Sequence, residues 1–273
     1  KSDHVLEIGL TPNRTDAMGH VGVARDLRAA LVHRTGSALE LTLPSVEGWA
    51  QDADTKAIHV EVRDAYACSR YAGVTLTDVK VGPSPQWLQD RLRVIGLKPI
   101  NNVVDVTNYV QHELAQPLHA FDAATLRAGR IVVRMADPGE AITTLDGKAR
   151  ALDVNDLVIA DGERAMCIAG VFGGAESGVT EATTTVFLES ACFEPGTIRR
   201  TARRHGLNTD ASFRFERGVD PEGVVYALKR AALLLKEVAG ASIASPVTDV
   251  DHSAKHPRLV KLAFADLDKL TGV

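Results

Sequence analysis

The chain has 273 residues, more than one average domain and fewer than two comfortable ones. A hydrophobic fraction of 45% and a charged fraction of 24% are those of an ordinary soluble globular protein with a core of useful size. A net charge of −4 and a pI near 6.2 argue against a protein that coats nucleic acid through bulk positive charge, although they leave room for a local RNA contact.

The cysteines exclude a zinc knuckle and a disulfide framework. Cys68, Cys167 and Cys192 are far apart and form no C-x-x-C pair, so we expect buried thiols in a reducing compartment. No run approaches the roughly 18 apolar residues of a membrane span, and no signal peptide opens the chain. The sequence therefore predicts a cytoplasmic protein without membrane contact.

The N-terminal quarter predicts a strand, a helix and a linker in turn. Residues 4–10 alternate in the manner of a strand, and apolar residues at helical spacing over 19–35 predict a helix that Gly36 ends. The polar stretch 37–54 is interpreted as a linker. Strands are predicted next over residues 58–62 and 70–81.

Two helices follow these strands. Ser84 as N-cap, Pro85 in the first turn and Gly96 as the stop delimit the first helix. Residues 101–113 predict the second, although their apolar positions are rich in β-branched side chains.

The central third predicts strands in quick succession. Residues 131–188 contain short apolar runs bounded by turn residues, with a tight hairpin at Asp146-Gly147. Two capped helices come next, over 194–206 and 220–240. A second linker is predicted over residues 248–257.

These elements predict an α+β fold. We expect a mixed, strand-rich central sheet, partly closed and barrel-like, flanked by helices, with partial helical modules at both ends. Residues 1–54 are interpreted as the end of one module and a linker, 55–250 as the main domain, and 251–273 as the start of a further module. Both ends are expected to be cut points in a longer protein.

Several common catalytic and binding motifs are excluded because the chain lacks residues that they require. "HELAQ" at His112 resembles the zinc-protease helix motif, but Gln116 stands where the second histidine ligand must be. "GVFGGAESG" has no lysine for a phosphate-binding loop, and a β-bulge or close backbone approach explains its glycines equally well. Neither a G-x-S-x-G elbow nor a Cys-His constellation is present.

Two polar residues stand out from their surroundings. His119 lies beside Pro117 and Phe121, outside a clean helical or strand pattern, and is read either as a structural histidine or as a site residue. Glu189 follows a short apolar run and is expected at the end of a buried strand, where an unpaired charge is costly. It needs either a functional role or an ion pair with the arginine-rich helix.

Four arginines cover more than one face of that helix. They suit either RNA phosphates or a solvated surface paired with Asp210 and Glu216. The four are Arg199, Arg200, Arg203 and Arg204.

A series of long segments resembles one known family. These segments are "EIGLTPNRTDAMGHVGVARDLRAAL", "GLKPINNVVDVTNYVQHELAQPLHAFD", "LVIAD", "IAGVFGGAESGV", "VFLESACFEP", "RRTARRHGLNTDASFRFERGVDP" and "HPRLVKLAFADLDKLTG". In this order they resemble the beta subunit of bacterial phenylalanyl-tRNA synthetase over nearly the whole chain.

The resemblance implies a fragment that contains the family's editing domain, over residues 55–250. In the family, the beta subunit pairs with an alpha subunit in an α2β2 heterotetramer that acts on tRNA(Phe). ATP and Mg²⁺ serve the whole enzyme at the alpha subunit, and the resemblance implies no cofactor for this fragment. The implied activity here is hydrolysis of wrongly charged tyrosyl-tRNA.

The resemblance also assigns residues to that activity. Glu189 matches the editing glutamate that would accept the tyrosine hydroxyl, and a site built for that hydroxyl rejects the analogue lacking it by about 10⁴-fold or more. Two further residues, His119 and Thr209, are assigned to catalysis by a positioned water without a covalent nucleophile. The implied substrate-binding residues are Lys98, Thr107, Asn108, Gly173 and Ala211. Lys98 departs from the arginine of the family, which keeps the charge but loses bidentate geometry.

Two other functions compete with editing. The fragment is alternatively a non-catalytic scaffold that holds the alpha subunit and the tRNA, or a free-standing trans-editing hydrolase. The joint presence of Glu189, His119, Gly173 and Ala211 favours the enzyme over the scaffold. The expected cut ends disfavour the free-standing hydrolase.

Overall fold

A computed structural model describes residues 4–55, 57–253 and 259–272. Seven α-helices form within the described residues: α1 (His20–Thr35), α2 (Gln86–Val94), α3 (Asn102–Leu114), α4 (Pro195–His205), α5 (Asp210–Phe215), α6 (Val224–Ala239) and α7 (Phe264–Thr271). The same part of the chain forms twelve strands: β1 (His59–Val62), β2 (Cys68–Thr77), β3 (Leu118–Asp122), β4 (Arg130–Met135), β5 (Ala141–Thr143), β6 (Ala149–Ala151), β7 (Leu157–Ala160), β8 (Ala165–Ile168), β9 (Phe172–Gly173), β10 (Val186–Phe193), β11 (Ser242–Ile243) and β12 (Thr248–Asp251).

The strands form two five-stranded sheets and a hairpin. One sheet has the order β1-β4-β7-β8-β9, with β1 parallel to β4 and the other pairs antiparallel. The other has the order β11-β2-β10-β3, and β12 pairs with β2 on the same edge as β11. Within the described ranges neither sheet closes on itself, so the α+β class is confirmed and the single, partly closed, barrel-like sheet is not.

Strand β10 divides two hydrophobic cores. Successive side chains of a strand point to opposite faces. Phe187 and Ala191 therefore pack into the first core, which the strands of both sheets share. Val186 and Leu188 pack into the second core, against helices α2, α3 and α6. The result is three layers, sheet on sheet on helices, with β10 in the middle layer.

Local capping signals explain most helix ends. The Asn101 side chain accepts hydrogen bonds from the backbone N–H of Val103 and Val104, which opens α3. Gly206 and Gly240 adopt the left-handed conformation that ends α4 and α6. The predicted helices at α1, α2, α3, α4 and α6 are confirmed, and so is the hairpin β5–β6 around Asp146-Gly147.

Ser84 does not cap α2, as the sequence had indicated. Pro85 occupies the N-cap position, and no side chain caps the helix there. Ser84 instead donates from Oγ to Oδ2 of Asp105 at 2.6 Å, and both residues are buried. This bond ties the start of α2 to α3.

Four further expectations about the elements are wrong. Residues 4–10 form no strand, and residues 248–251 are strand β12 and not part of a linker. Glu189 lies inside β10 and not at its end, because the strand continues to Phe193. His119 does belong to a strand, β3.

The predicted linkers and module boundaries have mixed outcomes. Residues 37–54 contain no helix or strand, and the interpretation of this stretch as a linker stays a prediction. Residues 254–257 of the second linker lie outside the described residues. The division at 54/55 and 250/251 stays a prediction. No described helix has the length and apolar character that a membrane crossing requires.

Candidate functional site

Glu189 occupies the centre of the middle sheet. It lies opposite His119 of β3 on one side and opposite Gly73 of β2 on the other. Residues directly opposite each other in neighbouring strands share a face of the sheet. The carboxyl group therefore faces the first sheet, together with the histidine ring.

Burial controls the charge of this carboxyl group. Glu189 is 4% exposed, and loss of hydration raises its pKa to about 8. Tyr71 opposes that effect by donating its phenolic hydrogen bond to Oε2 at 2.9 Å. Oε1 accepts no hydrogen bond from any described residue. One carboxyl oxygen is thus held and the other is left for a further partner.

A glycine makes room on the β2 side of Glu189. A Cβ placed on Gly73 would lie 2.1 Å from Cζ of Phe187, because that ring occupies the space above the glycine. Only glycine fits this position without moving the ring. Tyr71 stands two residues earlier on the same face and reaches Glu189 along the diagonal between strands.

His119 is a neutral and partly unpartnered histidine. Burial lowers its pKa to about 4, so the ring carries no charge near neutral pH. Its Nε2 atom is buried and has no hydrogen-bond partner among the described residues. The ring packs edge-on against Phe121, with 4.5 Å between ring centroids. A buried ring nitrogen without a partner is available to a ligand.

Gly173 lies directly against this histidine. A Cβ at Gly173 would lie 3.0 Å from Cε1 of His119 and 2.9 Å from Cδ1 of Leu145. The backbone N–H of Leu145 donates to the carbonyl of Gly173 at 3.0 Å, which holds the hairpin loop over β9. Leu145 is nevertheless 56% exposed, so an apolar side chain stands at the edge of the site.

Thr209 attaches helix α5 to the turn before Gly173. Its hydroxyl donates to the carbonyl of Val171 at 3.0 Å and accepts from the backbone N–H of Ser212 at 3.0 Å. The hydroxyl proton is therefore committed to a structural bond, and this arrangement positions α5. Ala211 packs on the first core from the same helix.

Helix α3 brings Asn108 towards the same region. Asn108 lies one turn before His112, and residues four apart share a helix face. His112 accepts a hydrogen bond from Arg214 at 3.2 Å and lies 4.0 Å from Asp210, both of which belong to α5. The side chain of Asn108 makes no hydrogen bond to any described residue.

Thr107 and Lys98 do not present free polar groups to Glu189. Thr107 is buried, and its hydroxyl donates to the carbonyl of Val104 at 2.7 Å. Lys98 is exposed between α2 and α3 and forms no ion pair with any described residue. Strand pairing places His119 beside Glu189, and Gly173 lies against His119.

The arginine-rich helix α4 does not neutralise Glu189, so the ion pair considered from the sequence is wrong. Arg204 forms an ion pair with Asp156, and Arg200 lies 4.0 Å from Glu194. Arg199 donates to the backbone carbonyl of Glu216 at 3.0 Å. The expected pairing of these arginines with the Asp210 and Glu216 carboxylates is wrong within the described residues, because Asp210 pairs with Arg214 and Glu216 with Arg217. The carboxyl of Glu189 has a phenol for its partner instead.

The comparisons with known proteins assign this chain to a family. A family model described as "B3/4 domain" matches residues 67–240. The chain belongs to the B3/4 domain family. The matched region contains β2, β3, β9, β10 and α5, and therefore every element that contributes to the cluster around Glu189.

Similar proteins to this B3/4 domain chain are phenylalanine--tRNA ligase beta subunits. The subunit of Bacteroides fragilis is 54% identical over 272 residues, covering 100% of this chain and 33% of that protein. The subunit of Porphyromonas gingivalis is 52% identical over 273 residues, with the same coverage of both chains. The resemblance stated from the motifs is confirmed, and the chain spans about a third of the length of these relatives.

One solved structure is similar to the chain at a low level. It is the crystal structure of an N-terminal fragment of the phenylalanyl-tRNA synthetase beta subunit from Pyrococcus horikoshii, with a TM-score of 0.48 and 14% identity. The alignment covers 96% of this chain and 70% of that chain.

Sequence reasoning missed two neighbours of Glu189 and one neighbour of Gly173 in the B3/4 domain. Tyr71 and Gly73 lie far from Glu189 along the chain, and strand pairing brings them near. The hairpin loop brings Leu145 against Gly173. Gly73 interrupts the apolar run of β2, and that interruption was the one available signal for a close approach.

Proposed function

We propose that this B3/4 domain is an editing domain that hydrolyses tyrosyl-tRNA(Phe) within a phenylalanyl-tRNA synthetase beta subunit. The observation that carries the proposal is the buried carboxyl of Glu189, with one oxygen held by Tyr71 and the other unpartnered among the described residues. Such a group gains most from a ligand that brings its own hydrogen-bonding hydroxyl.

The proposed discrimination between tyrosine and phenylalanine follows from the free-energy cost of leaving that carboxyl unpaired. The raised pKa keeps Glu189 largely protonated in the empty site at neutral pH. A tyrosine hydroxyl can accept from the acid form or donate to the carboxylate form, and the bond to the carboxylate is the stronger of the two, so discrimination increases as Glu189 ionises. A phenylalanine ring displaces water and supplies none, so phenylalanyl-tRNA is rejected.

Small residues and neutral donors shape the rest of the proposed site. Gly173 and Ala211 have no large side chain that would obstruct the tyrosine ring. His119, neutral at pH 7, and Asn108 position the ester and the terminal adenosine by hydrogen bonds. A histidine with a pKa of about 4 is a weak base at neutral pH, so we assign it to orientation of the attacking water.

Attack by a protein nucleophile does not fit the groups around Glu189. Burial raises the pKa of the Cys68 and Cys167 thiols, and the negative charge of Glu189 raises both further. A thiol held in its neutral form is inert as a nucleophile. The hydroxyl of Thr209 is bonded to Val171. Water is therefore the proposed nucleophile, and its oxyanion is stabilised by hydrogen bonds.

The relatives are named as ligase beta subunits, and the proposal extends to the whole enzyme on that basis. We propose an alpha subunit as partner in an α2β2 assembly, with tRNA(Phe) as the nucleic acid and the cytoplasm as the location. ATP and Mg²⁺ would serve amino-acid activation at the alpha subunit, and editing needs neither.

A scaffold without catalytic activity is the second candidate function. Apolar side chains stand exposed near both ends of the described chain, among them Leu27 of α1 and Phe264 and Leu270 of α7. Such residues suit contacts with other parts of a larger assembly. This function predicts no hydrolysis at all, which the following experiment measures.

The test is Glu189→Ala in the complete two-subunit enzyme, with Glu181→Ala as the control. Glu181 is an exposed glutamate in the loop before β10. Loss of a hydrogen bond to a charged acceptor should lower the ratio of tyrosyl- to phenylalanyl-tRNA hydrolysis by about 10- to 100-fold, while the control keeps the ratio.

Each of the other outcomes of this test identifies a different role. A general base would lower both rates by the same factor, about 10²–10⁴. A structural role would lower the melting temperature and keep the ratio. Wild-type enzyme without tyrosyl-tRNA hydrolysis would favour the scaffold.

A further inference from the structure

Tyr71 is the only hydrogen-bond partner that the described residues give the side chain of Glu189. Its phenol is fully buried and donates to Oε2 at 2.9 Å. It stands on β2, opposite Ala191 and diagonal to Glu189. Gly73, the residue of β2 directly opposite Glu189, has no side chain, and Phe187 fills the space above it. The phenol of Tyr71 therefore reaches the carboxyl from the diagonal position.

We propose that Tyr71 is a positioning residue that sets the specificity of the site, by holding Oε2 of Glu189 and leaving Oε1 alone to meet the para substituent of the substrate ring. The inference rests on the proposed editing function. It assigns the site to aminoacyl esters with a single hydrogen-bonding group at the para position of an aromatic ring.

The geometry gives the phenol two effects on the carboxyl. It fixes the rotation of the carboxyl plane, because a carboxyl held at one oxygen cannot turn that oxygen towards the substrate. It also replaces part of the hydration that burial removes, and that hydrogen bond lowers the pKa of Glu189 against the larger effect of burial. Without the phenol, both oxygens are free and the charged form is harder to reach.

The test is Tyr71→Phe in the complete two-subunit enzyme, with Tyr226→Phe as the matched control. Tyr226 belongs to α6 in the helical layer and donates to the carbonyl of Pro44 at 2.6 Å, so the control removes the same atom from another partner. The measurements are kcat/KM for hydrolysis of tyrosyl- and phenylalanyl-tRNA as functions of pH, corrected for uncatalysed hydrolysis, and the melting temperature.

Two changes are expected in Tyr71→Phe and neither in the control. The ratio of tyrosyl- to phenylalanyl-tRNA hydrolysis should fall by about 10-fold, as for one hydrogen bond to a charged group. The pH midpoint of kcat/KM, which reports the free enzyme, should move upward from that of the wild-type enzyme, because the phenol no longer lowers the pKa of Glu189. A fall in melting temperature with an unchanged ratio and midpoint would overturn the inference.

If the Tyr71→Phe variant does not fold, a second replacement at the same position tests the inference. Site-specific 3-fluorotyrosine in place of Tyr71 keeps the shape of the ring and makes the phenol a stronger donor. The midpoint should then move downward, and a midpoint that stays in place would also overturn the inference.

The same experiment separates this inference from the proposed function. Wild-type enzyme that does not hydrolyse tyrosyl-tRNA refutes both. Discrimination that is lost in Glu189→Ala but intact in Tyr71→Phe, with an unmoved midpoint, refutes only the role of Tyr71.

Discussion

Replacing Glu189 with glutamine should stabilise the chain against unfolding at alkaline pH. Burial raises the pKa of Glu189 from 4.5 to about 8. The unfolded chain releases this proton near pH 4.5, whereas the folded chain keeps it until about pH 8, so the folded state binds more protons within that window. The free energy of unfolding of the wild-type chain therefore falls as the pH rises through the window.

The width of the window sets the size of the effect. Each pH unit within it costs about 1.4 kcal/mol of stability, so the loss accumulated at pH 8 is on the order of 4 kcal/mol. That is a large part of the roughly 5–15 kcal/mol by which a domain is stable. Glutamine at this position does not titrate and can still accept the hydrogen bond from Tyr71, so the variant escapes the loss.

Urea denaturation at intervals between pH 5 and pH 9 measures this difference. Glu140→Gln is the control, because Arg134 binds both carboxyl oxygens of Glu140 at 2.8 Å and lowers its pKa. The stabilisation from that ion pair is present above the ordinary pKa and stays constant across the alkaline range. If the difference in unfolding free energy between wild type and Glu189→Gln does not change with pH, the burial argument is refuted. The discrimination between tyrosine and phenylalanine that rests on it is then refuted as well.

Two further predictions follow from the same cluster. His119→Gln should reduce the loss of stability between pH 6.5 and about 4, because the wild-type unfolded chain takes up a proton there that the buried ring refuses; denaturation on the acid side measures it. Gly173→Trp and Ala211→Trp in the complete enzyme should abolish tyrosyl-tRNA hydrolysis and leave phenylalanylation near normal. Unchanged hydrolysis in both tryptophan variants would place the ring site elsewhere.

The helices were predictable from sequence because their signals are local. Gly206 and Gly240 follow their helices immediately, and each ends its helix in the left-handed conformation as expected. The same locality explains the error at Ser84. A serine before a proline has the pattern of an N-cap, but its hydroxyl donates to Asp105, which lies 21 residues away.

The strands were harder to predict because their pairing is not local. Strand β12 contains two aspartates and has the composition of a linker, yet Asp249 binds Arg70 across 179 residues of sequence and the strand pairs with the edge of β2. Strand β3 follows Pro117 and is the last strand in the order β11-β2-β10-β3 of the described sheet. It therefore lies at an edge of the sheet, where a preceding proline is tolerated. Neither partner could be known from the segment itself.

The position of Glu189 within β10 was misjudged for a related reason. Ser190, Ala191 and Cys192 after it have the composition of a strand end, yet all three are buried. Neighbours on both sides, β2 and β3, satisfy the backbone of β10 there, so small residues suffice to continue the strand. The sequence could identify the glutamate as unusual but not the phenol that accompanies it.

The exception in β10 is itself an argument for function. The strand otherwise keeps apolar side chains on its inner face, with Phe187 before Glu189 and Ala191 after it. An apolar residue at that position would remove the cost of burying a carboxyl and the need for the Tyr71 phenol. Glu189 destabilises the fold in a strand that otherwise keeps apolar side chains on its inner face, and such exceptions are expected at functional sites. In the proposed editing function, a hydroxylated ligand recovers part of the free energy that Glu189 costs the empty protein, and an unhydroxylated ligand recovers none of it.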